Sequence, residues 1–169
     1  EDFDNDGDLD IFAAEGGRIG YFQNSGGVFS DATTQDFSVT GIEFLTSASP
    51  ADYNNDGFMD FALAGDAVNL YTNLQTPNGS NNYLKVKLDS RRVNFSGIGA
   101  KIKVTTTAPG TMTRVLKGQT GPESHTSLIK HFGLGSADQA AVSVEWPDGR
   151  VSNFTGISAN QTFVVEDFT

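Results

Sequence analysis

Apolar and polar positions alternate along much of this 169-residue chain, most regularly in its second half. In "YLKVKL", Leu84, Val86 and Leu88 fall on one side of an extended strand, and Lys85 and Lys87 on the other. In "AKIKV", Ala100, Ile102 and Val104 alternate with Lys101 and Lys103. A period of two with lysines on one face predicts half-buried strands whose second face is solvated. "VSVEW" repeats the pattern with Val142, Val144 and Trp146. "WPDG" then supplies a turn, with Pro147 fixing φ and Gly149 admitting a positive one, and "RVSNF" is the expected hairpin partner. Residues 82–169 are therefore expected to form an antiparallel β-domain of sandwich or barrel type.

The first half is built from a repeat. "DFDNDGDLDIFAA" at Asp2 returns as "DYNNDGFMDFALA" at Asp52, 50 residues later, and "YFQN" ending at Asn24 parallels "LYTN" ending at Asn73. "LDIFAA", "IGYFQN" and "MDFALA" read as strands, so two tandem units occupy residues 1–76. "QTPNGSNN" follows, and its turn residues mark 77–81 as a linker. The whole chain is predicted to be all-β.

Composition narrows the chemistry. A content of 37% hydrophobic and 11% aromatic residues supports packed cores, and 19 glycines suit many short strands and turns. The net charge of −10 disfavours nucleic acid and favours cations. With no cysteine there is no disulfide, no zinc–thiolate site and no thiol nucleophile. No apolar run reaches the length of a membrane span, and none has the pattern of a secretion signal. A first residue other than Met, almost on the aspartate cluster, is expected of a processed product or a piece of something larger.

The aspartates are the strongest candidate chemistry. In D-x-[DN]-x-D-G-x-x-D, oxygens at positions one, three and five converge when the backbone curls, and glycine at six permits the turn. The first loop offers Asp2, Asp4, Asp6 and Asp10 around Gly7, with Asp8 contributing its carbonyl at position seven. The second offers Asp52, Asn54, Asp56 and Asp60 around Gly57, with the carbonyl of Phe58. All-oxygen ligation of this kind suits Ca2+, so two calcium sites are predicted, the first tighter because it has more charged ligands. An EF-hand would require Glu at position twelve, where Ala13 and Leu63 stand. The alternative is a pair of metal-free Asp/Asn turns.

The two loops and their "YFQN" and "LYTN" strand ends resemble the calcium-loop repeats of integrin-α-type β-propellers, the FG-GAP or VCBS class. "NNYLKVKL", "GIGAKIKV", "HFGLGSAD", "VEWPDGRV" and "NQTFVVED" resemble the ASPIC/UnbV domain that follows such repeats in many secreted bacterial proteins. The resemblance implies an extracellular or surface protein that uses calcium structurally, and it supplies no reaction. Two repeats fall short of the four to eight blades that close a propeller. Other protein chains, further copies of this one or a missing N-terminal part of a parent, are therefore the expected partners.

Catalytic groupings are thin. His125 and His131 are the only histidines, there is no G-x-S-x-G elbow, and "GIGAKI" lacks the last glycine of a dinucleotide fingerprint. His131 is expected to be packed or hydrogen-bonded. Trp146 is read as core in preference to a sugar-stacking platform. Sequons stand at Asn78, Asn94, Asn153 and Asn160. The expected function is a non-catalytic, calcium-stabilised adhesion or assembly module; the alternatives are a carbohydrate-binding module and an accessory domain of a secreted enzyme.

Overall fold

Each aspartate-rich loop runs directly into a strand whose first apolar residues are β-branched or aromatic, Ile11 and Phe12 in the first repeat and Phe61 in the second. The computed structural model describes residues 1–15, 18–33, 47–73, 81–118 and 127–168; linker positions 77–80, with Asn78, and His125 lie outside them. After the first loop come β1 (Ile11–Glu15), β2 (Arg18–Ser25) and β3 (Val28–Asp31), an antiparallel sheet in that order. The second repeat gives β4 (Ser47–Ala51), β5 (Asp60–Ala64) and β6 (Val68–Tyr71), again three strands in sequence order. β4 contains Pro50 and occupies an edge, where a missing N–H is tolerated.

The two repeats share one apolar cluster made of Phe3, Tyr21, Ala32, Met59, Phe61 and Leu63. Phe3, from inside the first loop, lies with its ring centroid 4.4 Å from Phe61 and 5.7 Å from Tyr21. The loop is thus anchored in the core by its own second residue.

In the second half, β7 (Asn82–Ser90), β10 (Lys130–Gly135) and β13 (Gln161–Asp167) form a sheet of order β10-β7-β13. β8 (Lys101–Thr105), β9 (Thr111–Val115), β11 (Gln139–Glu145) and β12 (Val151–Ser158) form another, of order β12-β11-β8-β9. Leu84, Val86, Leu88, Phe132 and Val165 of the first sheet join Ile102, Val104, Val142 and Val144 of the second in one cluster, closed by Trp146. The predicted β11–β12 hairpin is present: Val144 faces Ser152, Trp146 N donates to Arg150 O at 2.8 Å, and Gly149 has φ 85°.

Two expectations need correction. β13 runs parallel to β7, not antiparallel, because Ala159 and Asn160 alone link it to β12 and carry the chain from one sheet to the other. Asn160, at φ 58°, makes that corner, its N donating to Tyr83 O at 2.7 Å and its Oδ1 accepting from Tyr83 N at 3.1 Å. Lys87 and Lys103 are exposed as the alternation predicts, but Lys85 is buried, only 8% exposed. Its face of the sheet is covered by the second loop. Among the described residues the sheets close neither a barrel nor a propeller.

Candidate metal centres

The two loops fold alike, bond for bond. Position one accepts from the glycine five residues on: Gly7 N donates to Asp2 Oδ2, and Gly57 N to Asp52 Oδ2, both at 3.0 Å. Position three accepts from position five, Asp6 N to Asp4 Oδ1 at 3.2 Å and Asp56 N to Asn54 Oδ1 at 2.9 Å. Position five accepts from position seven, Asp8 N to Asp6 Oδ1 and Phe58 N to Asp56 Oδ1, both at 2.8 Å. The bonds at positions three and five are short Asx turns, which is why Asp and Asn alternate with other residues here. Asn5 and Asn55, at φ 62° and 61°, together with Gly7 and Gly57, at 101° and 94°, supply the left-handed residues that curl the loop.

Position nine closes it. Asp10 Oδ2 accepts from Phe3 N at 2.8 Å and its Oδ1 from Asn24 N at 2.8 Å; Asp60 does the same with Tyr53 N at 3.2 Å and Asn73 N at 2.7 Å. The asparagine amides return to the loops, Asn24 Nδ2 to Leu9 O at 3.1 Å and Asn73 Nδ2 to Met59 O at 3.2 Å. The asparagines that end "YFQN" and "LYTN" are therefore loop clamps, a role the repeat pattern marked without explaining.

Carboxylate oxygens of Asp2, Asp4 and Asp10 all lie within 4.8 Å of one another, and all three residues are buried. Asp6 sits beside them, while the Asp8 carboxylate turns away to accept from Gly26 N at 2.7 Å. In the second loop Asp52, Asp56 and Asp60 are not gathered into such a cluster: Asn54 and Asp56 are exposed, Asn54 Nδ2 donates to Asp56 Oδ2 at 2.8 Å, and the Phe58 side chain is buried.

The donor set fits a hard cation on one particular observation. In each loop the other oxygen of position one, Oδ1 of Asp2 and Oδ1 of Asp52, is buried with no hydrogen-bond partner. A buried anionic oxygen without a partner is costly, and the same orphan recurs at the same place in both repeats.

Protonation equilibria carry the same strain. Burial first, then the neighbouring Asp4, Asp6 and Asp10 charges, hold Asp2 well above the usual carboxylate range. Burial, aided by Asp4, Asp8 and Asp10 and opposed by the Asp8 N–H, raises Asp6 to about 6. Burial also raises Asp10 and Asp60 against the N–H groups they accept. In metal-free protein such a group binds more protons folded than unfolded, so stability falls as pH rises from the ordinary value of 3.8 through about 6. His131 acts oppositely: burial lowers it from 6.5 to about 3, and its contribution is lost as pH falls below 6.5. If the loops hold calcium, the rise in melting temperature that the ion brings would separate the two, since His131 contributes with and without it. That increment is expected to be full at pH 7.5 and to shrink as pH drops through about 6, where protons compete for Asp6. Melting curves in calcium-depleted and calcium-containing buffers from pH 7.5 to 4.5 would measure it, and a constant increment would contradict it.

Both loops lie against the second half of the chain. Asp2 Oδ2 accepts from Gly133 N at 3.1 Å, Asn5 O from Gly135 N at 2.9 Å, and Asp4 O from Asn81 Nδ2 at 2.8 Å. Asn5 Nδ2 donates to Gly57 O at 2.9 Å, so its Oδ1, 2.6 Å from His131 Nε2, is the acceptor and that nitrogen carries the proton. His131 also stacks on Tyr83, with ring centroids 5.7 Å apart. Asp52 Oδ2 meets Lys85 Nζ at 2.5 Å. Sequence reading missed Asn5, Lys85 and Gly133; only Asn5 had a readable signal, since Asn55 stands at the matching place in the second repeat.

Residues 2–63 match the FG-GAP-like repeat family and residues 90–168 the family described as ASPIC and UnbV. The chain is similar to cartilage acidic protein 1 of Mus musculus and of Homo sapiens, each 28% identical over 180 residues and 98% of this chain. The Xenopus tropicalis protein of that name is 26% identical over 164 residues and 89% of the chain. The chain spans about a quarter of the length of these relatives: 27%, 27% and 25%. Neither family description nor any of these names denotes an enzyme. Among the described residues no helix is long and apolar enough to cross a membrane.

Proposed function

We propose, because stretches of this chain match an FG-GAP-like repeat family and the ASPIC and UnbV family, that it is a calcium-stabilised, non-catalytic module of an extracellular or cell-surface protein, acting in adhesion or assembly. The pair of orphaned position-one oxygens, Asp2 Oδ1 and Asp52 Oδ1, carries the reading. Asp2, Asp4, Asp6, Asp10 and the Asp8 carbonyl would hold one ion, and Asp52, Asn54, Asp56, Asp60 and the Phe58 carbonyl the other. A bound divalent ion supplies positive charge that turns carboxylate repulsion into cohesion. A donor set made only of oxygens, four side chains and a carbonyl in each loop, favours calcium over the smaller magnesium. The relatives are named cartilage acidic protein 1, and a net charge of −10 makes this chain acidic too.

A non-catalytic role accords with His131, whose ring is buried and committed to Asn5. The carbohydrate-binding alternative loses its platform, since Trp146 is buried. Partnership with other chains is supported by the repeat sheets. All four residues of β3 are exposed, and Val28, Phe29, Val68 and Leu70 are large apolar side chains open to solvent. β5 pairs on both sides, whereas β1, its equivalent, pairs among the described residues only with β2. Free strand edges and apolar faces template pairing with other chains.

Excess calcium is expected to stabilise the chain by about 2.7 kcal/mol for each site whose Kd it exceeds a hundredfold. The melting temperature should rise by several degrees over chelator and by less with magnesium. Sedimentation of the same samples reads self-association. A melting curve indifferent to calcium would overturn the calcium reading, and a monomer under both conditions would overturn self-association.

A further inference from the structure

The second loop contains a cation of its own. Position one uses its Oδ2 in the same way in both repeats, accepting the glycine N–H at 3.0 Å, but the other donor to that oxygen differs. On Asp2 it is the neutral N–H of Gly133 at 3.1 Å; on Asp52 it is the Lys85 ammonium at 2.5 Å. Lys85 is held there by burial, by Asn55 Oδ1 at 3.4 Å and by the Tyr83 ring, whose centroid is 5.5 Å from Nζ. Asp52, Asp56 and Asp60 bring −3 to this loop and Lys85 reduces the sum to −2, whereas the first loop carries −5 from Asp2, Asp4, Asp6, Asp8 and Asp10.

We infer that Lys85 is a tethered counter-cation of the second loop, which lowers the loop's calcium affinity below that of the first and holds it together when calcium is scarce. The inference rests on the calcium reading above. An ammonium touching one oxygen of a ligating carboxylate draws charge from the other and repels an incoming divalent ion. In the absence of the ion it offsets the repulsion that the first loop bears unrelieved. Lys85 and Asp52 also line a cavity of about 110 Å³ with Asn55, Ser127 and His131, room enough for a few waters to solvate the ammonium when the ion takes the carboxylate. The first loop then reports calcium, and the second stays folded across a wide range of it.

The test is calcium titration calorimetry on the full chain, with Asp56→Asn used to assign the second site. Lys85→Met should tighten that site on the order of tenfold, the scale of one screened charge contact, leave the first unchanged, and be mimicked by Lys85→Gln if the Met variant folds poorly. Lys85→Arg should behave as wild type. Lys85→Met should also lower the melting temperature in metal-free buffer and much less at saturating calcium, whereas a merely structural ion pair would cost the same in both. Two sites with unchanged Kd values, or an equal melting loss with and without calcium, would overturn the role of Lys85 alone. No calcium bound by wild type or by Lys85→Met would overturn it together with the calcium reading.

Discussion

Gly133→Ala is expected to remove about 3 kcal/mol or more of folding stability, at the upper end of what overpacking costs. A Cβ at Gly133 would collide with Asp2 Oδ2 and lie 2.5 Å from both Cα and C of Asn5. Those Asn5 atoms are backbone and have nowhere to go. The Asn5 carbonyl is held by Gly135 N at 2.9 Å, its amide by Gly57 O at 2.9 Å, and its φ of 62° by the loop curl. Any retreat would also stretch the Gly133 N bond to Asp2. Gly149→Ala separates this effect from a conformational one. Gly149 has φ 85° with nothing within 4 Å of an added Cβ, so alanine there should cost only the ~1 kcal/mol of a left-handed residue. Urea denaturation of both variants in calcium checks the contrast, and equal losses would show that strand β10 and the first loop can part without penalty.

Trp146→Ala is expected to cost about 3–5 kcal/mol, the usual range for emptying a large aromatic site. The side chain is 2% exposed, closes the cluster between the two sheets of the second half, and donates its indole N–H to Ser152 Oγ at 2.9 Å. Trp146→Phe should recover most of the loss, leaving roughly the 1 kcal/mol of the missing hydrogen bond. Calcium binding should persist in both, because the loops pack on a different apolar cluster. A loss below 1 kcal/mol for the alanine variant, read by denaturation, would contradict a core role for Trp146.

What the sequence made legible was whatever repeats or alternates. The 50-residue recurrence exposed both loops and their matching positions, and the period of two placed Val142, Val144 and Trp146 inward. Lys85 was misplaced by the same rule that placed its neighbours. Alternation tells which face a residue takes but not what later covers that face, and here the second loop covers it. β4 escaped notice because Ser47, Ser49 and Pro50 are poor strand formers, tolerated only at the edge where register to β5 holds them. The parallel pairing of β13 hinged on Asn160, one residue whose left-handed turn redirects a whole strand. Gly133 carries no local signal either, since its constraint comes from Asp2 and Asn5, 131 and 128 positions away.

That separation has a consequence in time. Gly133 N reaches Asp2 across 131 residues and His131 reaches Asn5 across 126, so all the intervening chain must exist before the first loop finds these donors. At a synthesis rate of about 5–20 residues per second, these aspartates wait roughly 7–26 s after emerging from the ribosome. Contacts of such long reach form late, after shorter-range pairings have reduced the entropy of closing the chain. The aspartates of the first loop are thus among the last parts of this region to be finished, and until Gly133 and His131 arrive they lack those donors.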